Sequence, residues 1–533
     1  MKEKIVIILL ILCLSGVNFA FAETMNKENI EDMQKFSDEY GIQWAMNYGS
    51  NRHYGARYEG PQPIDDCDND GKNELLIGGR DECLRVMEWD STQQTYFEKH
   101  RIYCPFYPDS YTDAGGFAIG DISGDGKNEI CASWPASVYK WSLGKYRLKG
   151  LNYWIFNNGG GSGDCFIGDC DNDGKNELIM SGGTIREGGT VPEIVVYKWT
   201  ALGLVIESSW DDPGINGYVY MADVGDADND GENEIVLGSA FKVVVLDWNK
   251  NSKSFESTII KQTQGWENYP FACIIDDSDM DGKNEVHIGY YGPKISIFEW
   301  DGESYTNKFE KYWEGEGALI EGLDVGDVDE DGKQEVCAGT HLIHILEWDG
   351  DTYIEEALLT TFGELAVVVI GDCDNDGKNE INAGSVMIDN NEDFMEWVYK
   401  YGIEDLVDEE DSSPIGHLKV TLEKTTGGNN LVGGSVNAWK KDTGMWYDIP
   451  PDLSDQVVYY RNDLPEGSYL LRAFVEGYGT KEQEITITEG EETTITINLK
   501  KSLSRDVKPN VLYLLEKIFD NHPILNTILN LLI

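Results

Sequence analysis

Basic residues are scarce in this 533-residue chain: 42 Lys and Arg stand against 96 Asp and Glu, a formal net charge of -54. That deficit excludes a nucleic-acid-binding surface and disfavours docking on anionic lipid, since both need clustered cations. Histidine is sparse, seven in all. No G-x-S-x-G, H-E-x-x-H or nucleotide-binding loop occurs, so the common hydrolytic and phosphate-handling motifs are missing. Proline is low, 15 against 58 glycines, which points to many tight turns and away from collagen or a proline-rich linker. No apolar run reaches the ~20 residues that a membrane-spanning helix needs. What is present is apolar and aromatic: 41% hydrophobic, with 28 Tyr, 17 Phe and 15 Trp. That is too much for a disordered acidic chain.

The first residues read as an export signal. Lys2 and Lys4 precede an apolar run from Ile5 to Leu14, and Ala20-Phe21-Ala22 offers the small-x-small pattern of a cleavage site before Glu23. Residues 1–22 are therefore expected to be a signal peptide and the protein to be secreted, or attached to the cell surface. Beyond Cys13, nine cysteines remain for an oxidising compartment, an odd number that leaves at least one unpaired or paired between chains. Cys83–Trp89 and Thr95–Cys104 read as two strands of a hairpin. That places Cys83 near Cys104, either as a disulfide or as two buried thiols.

One nine-residue pattern, D-x-[DS]-x-D-G-[KE]-[NQ]-E, recurs seven times. The starts lie 55, 48, 57, 51, 50 and 45 residues apart, close to the about 40–50 residues of a four-stranded propeller blade. Short apolar segments flank each copy. Next comes an alternating segment ending in Trp, from Val86–Trp89 to Ile345–Trp348, with Phe394–Trp397 as the expected seventh. A further strand follows a polar turn. Four strands in each of seven units predict an all-β chain whose residues 23–407 form a seven-bladed β-propeller. The repeated Trp is expected to pack between blades.

Oxygens at positions 1, 3 and 5 converge if the backbone curls sharply, which the glycine at position 6 permits. The candidate ligands are Asp66, Asp68, Asp70 and Glu74 in the first copy, and Asp121, Ser123, Asp125 and Glu129 in the second. The third has Asp169, Asp171, Asp173 and Glu177; the fourth has Asp226, Asp228, Asp230 and Glu234. The fifth has Asp277, Asp279, Asp281 and Glu285; the sixth has Asp327, Asp329, Asp331 and Glu335; the seventh has Asp372, Asp374, Asp376 and Glu380. Hard anionic oxygens with no His or Cys donor suit calcium, so about seven Ca2+ sites are expected. Ser123 makes the second copy the expected weakest. The acid at position 9 between apolar segments differs from an EF-hand, whose glutamate stands at position 12 between helices.

These residues, over about 40–405, resemble the FG-GAP or VCBS repeats of integrin alpha-chain propellers and of secreted microbial proteins. The resemblance implies calcium ligands at the first, third, fifth and ninth residues of each copy, with Ser123 as the departure. It also implies adhesion or scaffolding, although some such propellers belong to polysaccharide-degrading enzymes. Residues 408–415 read as an acidic linker. Residues 416–500 alternate with period two, as in a small β-sandwich. Leu464-Pro-Glu-Gly-Ser-Tyr-Leu470 and Glu476-Gly-Tyr-Gly479 resemble the carboxypeptidase regulatory-like or PEGA class, which implies a non-catalytic accessory module. Residues 501–533 read as an amphipathic and apolar tail, the one segment through which membrane contact is expected.

On the propeller face opposite the acidic loops, the connections between units carry Phe106, Tyr107 and Tyr111, then Trp154, Trp210, Trp266 and Trp313. The four tryptophans are candidate ligand contacts, the competing reading being burial as plugs or covers. The functional expectation is a calcium-stabilised, non-catalytic propeller that binds an extracellular protein or glycan. The alternative is a calcium-dependent polysaccharide lyase, for which no base beside an acid-binding calcium can be assembled from the sequence.

Overall fold

The computed structural model describes residues 37–501, apart from 38, 50–62, 79–82, 106–115, 134, 153–161, 187–188, 214–215, 317–319, 321, 362–363, 387–392, 409–410 and 453–454. The expected signal peptide and C-terminal tail lie outside the described residues, as do Phe106, Tyr107, Tyr111 and Trp154.

The described chain is all-β, with one 3-10 turn at Trp266–Asn268. Six four-stranded antiparallel sheets are each built from four consecutive strands, the first from Ile64–Asp65, Glu74–Ile77, Cys83–Asp90 and Thr95–Tyr103. Second strands such as Glu234–Ser239 are buried throughout. Covered on both faces, they read in sequence as continuous apolar runs. Each acidic nonapeptide joins the first strand of its unit to the second.

Neighbouring sheets are keyed by one repeated contact. A glycine just before the nonapeptide lacks a Cβ where a β-branched residue of the next unit intrudes. Cβ atoms built there would lie 3.2 Å from Ile167 at Gly120, 2.8 Å from Val224 at Gly168, 3.2 Å from Ile275 at Gly225 and 2.6 Å from Ile370 at Gly326. The same contact joins Gly371 of the seventh unit to Ile64 of the first, at 3.1 Å. A larger residue there would force the inner strands apart.

The seventh unit takes its fourth strand from the other end of the chain. Tyr40–Gly49 pairs antiparallel with Phe394–Tyr401, and on its other edge pairs in parallel with the C-terminal domain at Met46↔Trp446 and Asn47↔Tyr447. One eight-stranded sheet therefore runs from Glu364–Gly371 through Tyr40–Gly49 to Gly479–Ile487. A second sheet of Pro451–Asp452, Asp455–Pro465, Ile415–Lys424 and Glu492–Leu499 completes the C-terminal sandwich. The two parts meet across buried charge. Arg101 grips Glu98 through two contacts of 2.7 and 2.6 Å and reaches Asp448 at 2.8 Å, while Asn437 donates to Glu98. Trp446 donates to Thr95, and Arg461 donates to the Asn47 carbonyl. The acidic segment expected as a linker is held down as well, with Asp411 paired to the buried Lys440.

One sequence alternative is decided and one sequence expectation needs correction. The nine described cysteines are buried thiols, which for Cys83 and Cys104 is the second of the two readings the sequence leaves open. Cys83 stands opposite Tyr103, so Cys104 falls one step beyond, where strand alternation turns its side chain to the other face. The seventh unit's aromatic is also misplaced by the sequence pattern. Leu346 opposes Val336 and is followed by Glu347 and Trp348, whereas Tyr399 opposes Ile381 and is followed by Lys400 and Tyr401. Tyr401 therefore holds the tryptophan's place, and Trp397 is a wholly buried core residue.

Candidate metal centres and an aromatic face

Each nonapeptide curls through two left-handed residues. Position 6 is glycine, with φ near 90° in most copies, and position 4 has φ between 58° and 70°. Asn69, Asn172, Asn229 and Asn375 tolerate that conformation, whereas Met280 and Glu330 adopt it at a cost. Backbone N–H groups then point inward at the carboxylates. Asp66 Oδ1 accepts from Asp70 N at 2.9 Å and its Oδ2 from Gly71 N at 2.8 Å, and the third, fourth, fifth and seventh loops repeat both contacts. In all seven loops the position-9 glutamate is buried and its Oε2 accepts the position-2 N–H, at 2.8–3.2 Å. Its Oε1 is left to turn into the loop.

In the first four loops, acidic side chains expected as ligands lie close enough together to share an ion. Carboxylate atoms of Asp66, Asp68 and Asp70, of Asp121, Asp125 and Glu129, of Asp169, Asp171 and Glu177, and of Asp226, Asp228 and Asp230 each fall within 4.8 Å of one another. Asp247, from the third strand of the fourth unit, joins Asp228 and Glu234 in the same way. Ser123 behaves differently, donating to Glu129 Oε1 at 2.9 Å.

The sequence reading missed what else enters these loops. In several units a β-bulge on the fourth strand re-aims one side chain towards the loop. Lys99 is the bulge residue of the first unit and Lys308 that of the fifth; Glu207 and Glu356 take the place in the third and sixth, and Gln43 in the seventh. Lys99 Nζ lies 2.8 Å from Asp68 and 2.9 Å from Glu74 Oε1. Lys308 Nζ lies 2.5 Å from Asp279 and 2.8 Å from Glu285 Oε1. From third strands, Lys140 meets Asp125 at 2.6 Å and Glu129 Oε1 at 2.5 Å, and Lys400 meets Asp374, Asp376 and Glu380 Oε1 at 2.5, 2.9 and 2.6 Å.

Loops three, four and six carry additional acid instead. Lys198 pairs with Glu207. Glu177, Glu234 and Glu335 are each pushed up to about 8, first by burial and then by acids beside them: Asp171 and Glu207, Asp228 and Asp247, and Asp329 and Asp327. Glu335 is 0% exposed and its Oε1 has no hydrogen-bond partner among the described residues.

Neighbouring loops are clasped by their asparagines. Asn69 and Asn128 exchange hydrogen bonds between the first and second loops, as do Asn172 and Asn233, and Asn229 and Asn284. Asn375 and Asn73 join the seventh loop to the first. Aromatic rings seal the loops from the next unit: Tyr146 reaches Cys67, Tyr353 reaches Ser278, and Tyr96 reaches Cys373.

The opposite ends of the strands carry the candidate aromatic contacts, and the tryptophans there separate. Trp266 is 66% exposed and stacks parallel on Tyr269, with Phe241 and Tyr291 edge-on to it. Tyr291 is 47% exposed, and Tyr220 stacks on Phe271 beside this group at 4.1 Å. Trp210 is half-buried against a core cluster. Trp313 is buried: it donates to Glu355 and stacks on His344 at 4.1 Å, so the ligand expectation fails there. His344 sits between Glu316 at 2.9 Å and Glu355 at 2.6 Å, which raises its pKa despite burial. Among the described residues, no helix is long and apolar enough to cross a membrane.

Residues 460–503 match the PEGA domain family, so the C-terminal sandwich is a PEGA-type domain. No curated protein matches the chain. Among solved structures, the chain is similar to BBS1N in complex with ARL6DN. The mercury-soaked crystal is 11% identical over 65% of this chain and 94% of that one, with a TM-score of 0.45. The lead-soaked crystal is 10% identical over 68% and 98%, at 0.46. Raptor of Chaetomium thermophilum is 13% identical over 72% of this chain and 32% of its own, at 0.45.

Proposed function

We propose that this chain is an exported, seven-bladed, calcium-stabilised β-propeller that binds an extracellular protein or glycan through the face opposite its acidic loops and carries out no catalysis. The observation that carries the reading is the aromatic group around Trp266. Exposed, mutually stacked rings offer flat apolar area at low entropic cost, suited to a sugar ring or a peptide side chain. The seven-bladed reading is supported by the Gly371–Ile64 and Asn73–Asn375 contacts, which link the seventh unit to the first. Calcium is supported by the donor set, carboxylates held on a backbone nest, and by the unpartnered Glu335 Oε1. Asp327, Asp329, Asp331 and Glu335 are the residues that would hold an ion there. Bound calcium would supply charge neutralisation, bracing the loop between its two strands.

A glycan and protein array probed with the calcium-loaded full chain tests the binding role. Trp266→Ala is expected to lose the array signal with an unchanged melt, whereas Trp313→Ala is expected to destabilise by roughly 3–5 kcal/mol, as for a buried tryptophan. Undiminished binding by Trp266→Ala would remove this face as the ligand site. Unsaturated products from polyuronates would overturn the non-catalytic reading.

A further inference from the structure

We propose that the seven loops divide into two classes: in loops one, two, five and seven a lysine takes the cation's place, and calcium is confined to loops three, four and six. The proposal rests on the calcium reading above and narrows it from seven ions to three.

The argument turns on a single atom. In every loop the position-9 glutamate spends Oε2 on the backbone, which leaves Oε1 to face the other carboxylates. Glu74, Glu129, Glu285 and Glu380 each give Oε1 to a lysine Nζ, at 2.5–2.9 Å. Each ammonium also touches one or two of the aspartates expected as ligands. A calcium ion needs six to eight oxygens at 2.3–2.6 Å. An ammonium in contact with the same oxygens occupies that volume, and a divalent ion beside it would meet like charge at short range. These four loops do not fit the ion as they stand.

Loops three, four and six have no such ammonium among the described residues. The side chains brought to them are acids: Glu207 from a bulge in the third unit, Asp247 from a third strand in the fourth, and Glu356 from a bulge in the sixth. Lys175 and Lys333 reach only the outer Asp173 and Asp331, at 3.6 and 3.5 Å, and Lys198 pairs with Glu207, so among the described residues no lysine meets the position-9 glutamates of these loops. In loop six the consequence is visible at Glu335 Oε1, the counterpart of the lysine-bound oxygens, which is buried without a partner. A buried carboxylate oxygen left unpaired costs free energy that a bound cation removes. The bulge decides the class in part: one position on one strand delivers Lys99 or Lys308 in two units and Glu207 or Glu356 in two others.

Native mass spectrometry of the full chain, stripped with EDTA and re-equilibrated with calcium alone, counts the ions. Three per chain is expected. Glu335→Gln is expected to bind two and Glu74→Gln still three, while Lys308→Met opens the fifth loop and binds four. Should Glu335→Gln fail to fold, Asp331→Asn, on the half-exposed rim of the same loop, makes the same test and is expected to weaken one ion at least tenfold. Seven ions would overturn the two-class proposal and leave the calcium reading standing. No ion would overturn both. Any other count, or an ion lost from Glu74→Gln, would overturn the assignment of loops.

Discussion

Replacing Glu335 by glutamine should stabilise the protein in chelator and destabilise it in calcium. The carboxyl, fully buried beside Asp329 and Asp327, is pushed up from 4.5 to about 8. About 3.5 pH units at about 1.4 kcal/mol each put on the order of 5 kcal/mol of unfavourable charge in the metal-free fold near pH 8. Glutamine keeps the shape and the acceptor for the Val328 N–H while removing that charge. Calcium reverses the balance, because an ion held by the native loop alone contributes RT ln(1 + [Ca]/Kd), about 2.7 kcal/mol at a hundredfold excess. Thermal melts of both proteins at pH 8, with EDTA and with calcium, read the sign directly. The variant should melt higher in EDTA and lower in calcium. The same order under both conditions would refute the account of loop six.

The metal-free protein should also respond to acid in an unusual direction. Glu177, Glu234 and Glu335 bind protons in the fold below about 8 but only below about 4.5 when unfolded, so its melting temperature should rise as pH falls from 8 towards 5. A melt that falls throughout that window would contradict it. His344, held protonated by Glu316 and Glu355, should contribute stability that is fully present below its ordinary 6.5 and lost as pH rises through its raised folded value. The stability difference between wild type and His344→Gln measured across pH 5–9 checks this, and a difference growing with pH would oppose it. Asp171→Ala should cost stability only when calcium is present. Asp374→Ala should cost it in chelator too, because Gln43 loses its buried acceptor and Lys400 one of its carboxylates; equal calcium dependence of the two in denaturant titrations would contradict the division of loops.

The repeat made the strands, the loops and the convergence of their carboxylates legible, because each feature depends on residue type at fixed spacing. Lys99 and Lys308 were not legible. They lie about twenty-five residues beyond their loops, in segments whose period-two pattern gives no sign of a bulge, and the bulge is what turns them inward. The paired asparagines at positions 4 and 8 were visible as recurrent residues, but their meaning is contact between successive copies, which a search within one copy does not reveal. Trp397 was misread for a related reason: the sequence offers a tryptophan at nearly the right place, and only register shows that Tyr401 stands where the other units have theirs. Trp266 and Trp313 are alike in sequence. Hydrogen bonding to Glu355 and stacking on His344 bury one, whereas the other stacks on Tyr269 and stays 66% exposed.

The sharing of Tyr40–Gly49 between the last sheet and the sandwich bears on how the chain is made. Synthesis proceeds at about 5–20 residues per second, so the 352 residues from Gly49 to Tyr401 take roughly 20 to 70 s. Throughout that time the strand has neither of its neighbours. The units between can each pair locally on emergence, since their four strands are consecutive. The pairings of this strand with Phe394–Tyr401 and with Trp446–Asp448 can form only when both partners are available. A nascent chain of this design therefore carries an unprotected edge while those residues are made, and loss of either Tyr40–Gly49 or Phe394–Tyr401 opens the same pairing.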